Sequence, residues 1–319
     1  SFKTFMAYDG MMLQNGQLRK VLKAVSGHGG LVTTHAELGQ KIREEIEKLR
    51  KAGKLGVSSH PLIHPAQVEI EAARELVQMA ESENCPVYIV HISCGETIRL
   101  VHRARSDGHL IFGETCPQYL TLDESLYSAG SFEEISKYVM SPPLRSREDR
   151  DILWQEIGSG FVDVVATDHC PFTMKQKNLG KDDITKMPNG APGVEHRMEI
   201  LFSEGVLKNR ISIEQFVAVS STNPARIFGL YPRKGAIVKG ADADLVIWNP
   251  NQKKRISAKT HRMNTDISVW ENWEVTGGSE IVILRGEVAF ENGKVLTREG
   301  FGRYLPRLPI SDYGSVLAK

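Results

Sequence analysis

Residues 86–93 read PVYIVHIS, in which Val87, Tyr88, Ile89 and Val90 run without a polar interruption and lead into His91. A strand with water on one face alternates apolar and polar residues, so an unbroken run indicates burial on both faces, as in a parallel sheet. Segments of the same kind recur at 1–8, 30–35, 109–113 and 161–167. Between them lie helical patterns at 17–25, at 97–104 and at 66–80, the last with a Val68, Ile70, Ala73, Leu76, Val77 stripe. Strand alternating with helix implies βα units, which close into a (β/α)8 barrel or spread into an open doubly wound sheet. Neither G-x-G-x-x-G nor G-x-x-x-x-G-K-[ST] occurs, which removes the phosphate loop expected of the open nucleotide-binding sheet and favours the barrel.

Eight βα units take about 250 residues, and five are read here before Pro171. Three further units, the N-terminal strands of the barrel, are therefore expected ahead of Ser1. After the fifth strand come a Gly/Pro loop at 187–193 and helices at 195–206, 213–219 and 224–228, with Asn223 expected as an N-cap and Pro224 as the first helical residue. From about Pro232 the pattern changes to short strands at 236–238, 244–248, 281–284, 287–290 and 294–296, and Asn292-Gly293 is a strong hairpin signal. The expected organisation is an α/β TIM-barrel portion over residues 1–231, followed over residues 232–319 by a small β-sandwich lobe and a tail from Leu305.

The 319 residues carry 40 Lys+Arg against 39 Asp+Glu, a net charge of +1, which offers no global field for nucleic acid or an anionic membrane. Four cysteines, Cys85, Cys94, Cys116 and Cys170, form no C-x-x-C pair and are too few to staple a chain of this length, so a reducing, cytoplasmic location is expected. No apolar run approaches the ~20 residues that span a bilayer. A small neutral ligand fits this composition best.

Side chains at the C-terminal ends of barrel strands converge on one mouth. Three of the strand ends here carry metal-ligand types: His35 in TTHAE, His91 in YIVHIS and Asp168 in ATDHC. A single His or Asp at such a place is more often a capping residue. Two imidazoles with one carboxylate together suit Zn²⁺ or a similar divalent ion.

These segments, with SFKTFMAY (1–8), GETCPQYL (113–120), SPPLR (141–145), KMPNG (186–190), SSTNPARIFGLYPRKG (220–235) and GADADLVIWNP (240–250), resemble the dihydropyrimidinase and D-hydantoinase group of cyclic amidohydrolases nearly end to end. The resemblance implies a metal-dependent hydrolase that opens dihydropyrimidines or 5-substituted hydantoins to N-carbamoyl amino acids, as in pyrimidine degradation. It implies two divalent metal ions, zinc by preference, bridged by a carboxylated lysine at Lys3. A free ammonium with a pKa of about 10.4 repels a cation, whereas its carbamate offers two anionic oxygens to a metal pair ~3.5–4 Å apart. By the same match His35 and His91 bind one metal with Lys3, while Asp168 binds the other and acts as the catalytic base. Tyr8 stabilises the oxyanion, and Ser141 and Asn189 grip the cyclic amide. The family's other two ligands form an H-x-H motif, which this sequence does not contain.

SFK is expected among buried residues. His60, His64 and His169 are read as loop or packing residues, and Cys94 and Cys170 as small packing residues near the mouth. A homotetramer using the tail is implied by the resemblance. Allantoinase and dihydroorotase share the barrel and its metals, and KMPNG with TNPARIFGLYPRKG favours the dihydropyrimidinase group over them. The collapsin response mediator proteins are a non-catalytic alternative on the same fold. They lack the lysine of SFK and the histidine of YIVHIS, both present here.

Overall fold

The computed structural model describes residues 1–128 and 130–309. Five parallel strands, β1 (Phe2–Phe5), β2 (Val32–His35), β3 (Val87–Ile89), β4 (Ile111–Thr115) and β5 (Val164–Val165), pair in sequence order. Helices α1 (Asn15–Ser26), α2 (Gly39–Lys51), α3 (Ala66–Ser82), α4 (Gly95–Ser106) and α5 (Arg147–Gly158) fill the intervals between strands. The helix stripes match the expected ones: Val68, Ile70, Ala73, Leu76 and Val77 of α3 are all buried.

The sheet has a core on each face, which is why its strands read as unbroken apolar runs. Val32, Val87, Ile89, Ile111 and Val165 point outward into the helices, in one large cluster. Leu31, Tyr88, Phe112 and Val164 point the other way and are capped by Ile227. The period of two places Lys3, His35, Glu114 and Asp168 on this second, inner side, Lys3 within β1, His35 and Glu114 toward the carboxyl ends of β2 and β4, and Asp168 beyond β5. A flat sheet would set β1 and β5 about 19 Å apart, four strand spacings. Lys3 nevertheless lies near enough to Asp168 to act on its carboxyl, so the sheet curls inward as an arc of a (β/α)8 barrel.

The pairing ends earlier than expected at two places. β3 stops at Ile89 and β5 at Val165, so His91 and Asp168 stand in turns beyond the strands, while His35 does close β2. β4 runs longer and takes in Glu114. A second correction concerns β1, the outer strand of the arc: Phe2 and Lys3 are exposed, not buried, because no described strand covers that side.

Arg197–Leu201 runs into a π-helical turn, Phe202–Val206, and Ile213–Val217 continues through a second, Ala218–Thr222, into Asn223–Ile227. Asn223 therefore caps nothing: Thr222 before it is already helical, and the Asn223 amide donates to the Asp163 carbonyl instead.

The remaining strands, β6 (Leu245–Arg255), β7 (Glu274–Leu284), β8 (Glu287–Glu291) and β9 (Lys294–Val295), form one antiparallel sheet. A second layer, as a sandwich would have, is not found among the described residues, and 236–238 is not a strand. Asn292 and Gly293 make the expected turn, both with positive φ, as do Arg285 and Gly286 between β7 and β8. Pro250 sits in a register shift of β6, where its missing N–H costs no ladder bond. The lobe is stitched to the body, because Ile256, Val269, Trp270 and Val275 belong to the large cluster and the Trp270 indole donates to Thr121 Oγ1 at 3.0 Å. Of the tail, residues 310–319 lie outside the described residues, and Leu308 packs its carbonyl on Gly229. No helix among the described residues is long and apolar enough to cross a membrane.

Candidate active site

His35 and His91 meet at the inner mouth of the arc, with His35 Nδ1 2.8 Å from His91 Nε2 and both rings buried. His35 Nε2 is 2.8 Å from Glu37 Oε2, and the other oxygen of Glu37 is 3.0 Å from His64 Nδ1. Glu37 is wholly buried, yet its two imidazole partners hold its carboxyl well below the ordinary range against the cost of that burial. An ionised carboxylate only accepts, so the His35 proton resides on Nε2 and the Nδ1 lone pair faces His91.

His91 is kept neutral by burial and by the nearby His35 and Lys3, and its Nδ1 is buried with no partner. At 2.8 Å His91 Nε2–H donates to His35 Nδ1, and a divalent cation bound between the two rings would displace that proton. Among the described residues no three His, Cys, Asp or Glu side chains converge on one point. Lys3 approaches from the open side of β1: desolvation lowers its ammonium below the usual lysine value, although the side chain itself reaches solvent, and Glu114 and Asp168 oppose that shift. Asp168 is pushed above the usual carboxylate range by desolvation, with His35 and Lys3 drawing it back.

Tyr8 follows β1, and its ring lies 4.8 Å from the His35 ring at an interplanar angle of 50°. Burial and the Glu37 charge raise its phenol, so it stays a hydrogen-bond donor at any physiological pH. It is linked to Ser141, whose Oγ also receives the Asn189 amide at 2.9 Å. The three residues expected to hold the substrate therefore form one connected row.

Leaving asparagines aside, the described non-glycine residues with positive φ are Tyr8 (74°), His91 (41°), Asp168 (44°) and Arg285 (53°). Three of the four are candidate site residues. Such a backbone costs of order 1–3 kcal/mol for side chains of this type, and persists only where neighbours impose it. For His91 the neighbour is Glu114, which accepts the His91 N–H at 3.0 Å on one oxygen and the Tyr88 hydroxyl at 2.6 Å on the other.

Glu37 and Glu114 were not singled out by their position in the sequence. A signal was present for both, Glu37 lying two residues after a strand-end histidine in TTHAE and Glu114 just past the expected end of the fourth strand. His60 and His64 have the structural roles expected of them, His60 Nε2 donating to the Met140 carbonyl at 2.7 Å. His169 turns away from Asp168, and its Nδ1 accepts the Gly193 N–H at 3.1 Å. Cys94 is buried as expected, but Cys170 is exposed and does not pack, because the chain leaves the sheet before reaching it.

The chain matches the profile of the Amidohydrolase family over residues 2–289. It is 42% identical to a D-hydantoinase of Geobacillus stearothermophilus across 100% of its own length and 67% of that protein's. A D-hydantoinase crystal structure superposes with a TM-score of 0.94 at 41% identity, covering 97% of this chain and 67% of that one. A dihydropyrimidinase structure from Brevibacillus agri gives 0.93 at 40% identity, covering 96% and 66%. The chain spans about two thirds of the length of each of these proteins.

Proposed function

For a chain that belongs to the amidohydrolase family, with hydantoinases and a dihydropyrimidinase among its relatives, we propose hydrolytic opening of a cyclic amide, a dihydropyrimidine or a 5-substituted hydantoin, to an N-carbamoyl amino acid. The observation that carries this reading is the His35–His91 nitrogen pair, with Lys3, Asp168 and Tyr8 on the same mouth. Chemistry in this family is metal-dependent. His35, His91, Lys3 as its carbamate and Asp168 would hold two divalent ions, zinc being the best match to imidazole with carboxylate. When bound, such ions supply Lewis acidity and an activated water.

The residues of the chain divide the remaining work. Asp168 receives a proton from the attacking water and returns it to the departing ring nitrogen, a role favoured by a carboxyl raised toward neutrality. Tyr8, held protonated, donates to the oxyanion that forms at the ring carbonyl. Ser141 and Asn189 orient the ring amide so that its carbonyl lies under Tyr8. Glu37 and Glu114 keep His35 and His91 in place.

The test is a panel of dihydrouracil and substituted hydantoins, offered to the purified protein with Zn²⁺ and bicarbonate. Metal per chain and the mass of the Lys3 peptide are measured alongside. Ring opening with about two metals per chain and one CO₂ added at Lys3 is expected. Opening of neither ring class overturns the reading.

A further inference from the structure

One buried cation lies outside the reacting set. Lys177 is 1% exposed and, among the described residues, makes no ion pair with a carboxylate. Its ammonium instead donates to three carbonyls, Val139 at 2.7 Å, Pro188 at 2.8 Å and Gly190 at 2.9 Å. Those are all the donors an ammonium has. A buried lysine without an acid is costly: desolvation, opposed by Cys170, pulls its pKa down to about 7, and all three donors are spent on carbonyl oxygens.

The placement of those carbonyls gives the arrangement a use. Val139 lies two residues before Ser141, while Pro188 and Gly190 flank Asn189. The two loops that carry the substrate-gripping pair thus meet on one side chain. They are also joined by the Gly190 N–H, which donates to the Val139 carbonyl at 3.0 Å. Gly190 has φ +154°, and a Cβ there would come within 2.4 Å of the Cys170 carbonyl oxygen, so the segment that carries Asp168 is pressed against the same knot. The Phe172 ring, 5.5 Å from Nζ, closes it from the side.

We propose that Lys177 is a positioning residue for ring binding: by drawing the Val139, Pro188 and Gly190 carbonyls onto one ammonium it sets the spacing of Ser141 and Asn189, and so the orientation of the cyclic amide. The proposal rests on the function proposed above for Ser141 and Asn189. It separates two parts of the site, because Lys177 touches none of Lys3, His35, His91 or Asp168.

The experiment compares Lys177→Met and Lys177→Gln with the wild-type protein at its native length. It measures steady-state ring opening, metal per chain and hydrogen exchange at the Gly190 amide. Lys177→Met is expected to raise KM about tenfold, leave kcat within about threefold and keep the metal content, while exchange at Gly190 speeds up about tenfold. Lys177→Gln retains two N–H donors and is expected to fall between. Combined with Asn189→Ala, Lys177→Met should add less than its separate effect, since both act through one loop. Unchanged exchange at Gly190 overturns the knot. Faster exchange with unchanged KM, or a loss confined to kcat and metal, overturns the positioning role. If Lys177→Met does not fold, Lys177→Gln carries the same readouts. A wild-type protein that opens no ring would defeat the proposed reaction, and the Gly190 exchange would then judge the knot by itself.

Discussion

The two sheets use the left-handed backbone in opposite ways. In the hairpins of the antiparallel sheet it occurs at Arg285-Gly286 and Asn292-Gly293, where a two-residue loop demands positive φ and a glycine in each pair relieves it, and within β7 it falls on a glycine again, Gly277. In the parallel arc it falls on Tyr8, His91 and Asp168, with no glycine in place and no hairpin to require it. The first case is local and answers to turn chemistry. The second is imposed from outside, by groups such as Glu114 that are distant in sequence and hold the turn in place. The exceptional conformations at the candidate site are therefore those with no hairpin to cause them.

The contrast can be broken or sharpened by mutation. The largest effect is expected from Asp168→Asn, which leaves size and backbone alone and removes the base: ring opening should fall by about 10³-fold or more, and a variant of near wild-type rate would mean that the strained turn serves no chemistry. Next is Glu114→Gln. It keeps the shape but weakens the acceptor for the His91 N–H, and metal affinity, read by competition with a chelator, should fall about 10- to 100-fold. Equal affinity would show that the His91 turn holds itself.

In the arc, acid should act through a buried histidine. His60 is buried and pulled down to about 3, chiefly by desolvation and then by His64. An unfolded histidine takes its proton from about pH 6.5 downward. The stability associated with a neutral His60 is thus complete above that pH and drains as pH falls toward 3, by about 1.4 kcal/mol per pH unit. Denaturant titrations of His60→Gln should show a shallower acid limb by about one proton, and an unaltered slope would contradict the assignment. The smallest effect is expected at Gly293→Ala, which places a side chain at φ +81° in open space. It should cost about 1 kcal/mol in thermal unfolding and leave KM and kcat unchanged. A loss of activity there would show that the two sheets are coupled through Trp270.

Much of this architecture was legible from residue order. The unbroken apolar runs announced strands covered on both faces, and the two clusters on either side of the arc are the cause of those runs. Asn292-Gly293 forms its hairpin because the turn geometry is local. The candidate residues were legible in the sequence, and the structure places them near one another: His35, His91, Asp168 and Tyr8 at or just beyond strand ends, with Ser141 and Asn189 from two loops. Among the expectations that failed, three show the tertiary reason most directly. The exposure of Lys3 depends on what lies beside β1, the helical state of Asn223 on the turn that precedes it, and the fate of 236–238 on which strand is there to pair.

By itself, then, the sequence determined the classes of element and the kinds of donor that stand at the strand ends, because periodicity and ligand chemistry are properties of short stretches. Only the tertiary structure decided which carboxylates restrain those donors. Glu37 reaches His64 across 27 residues, Glu114 reaches His91 across 23, and Lys177 gathers carbonyls up to 38 residues away. The physical reason is that a buried charge is stable only among partners that desolvation and geometry select together, and those partners are brought near by the curl of the sheet and not by the order of the chain.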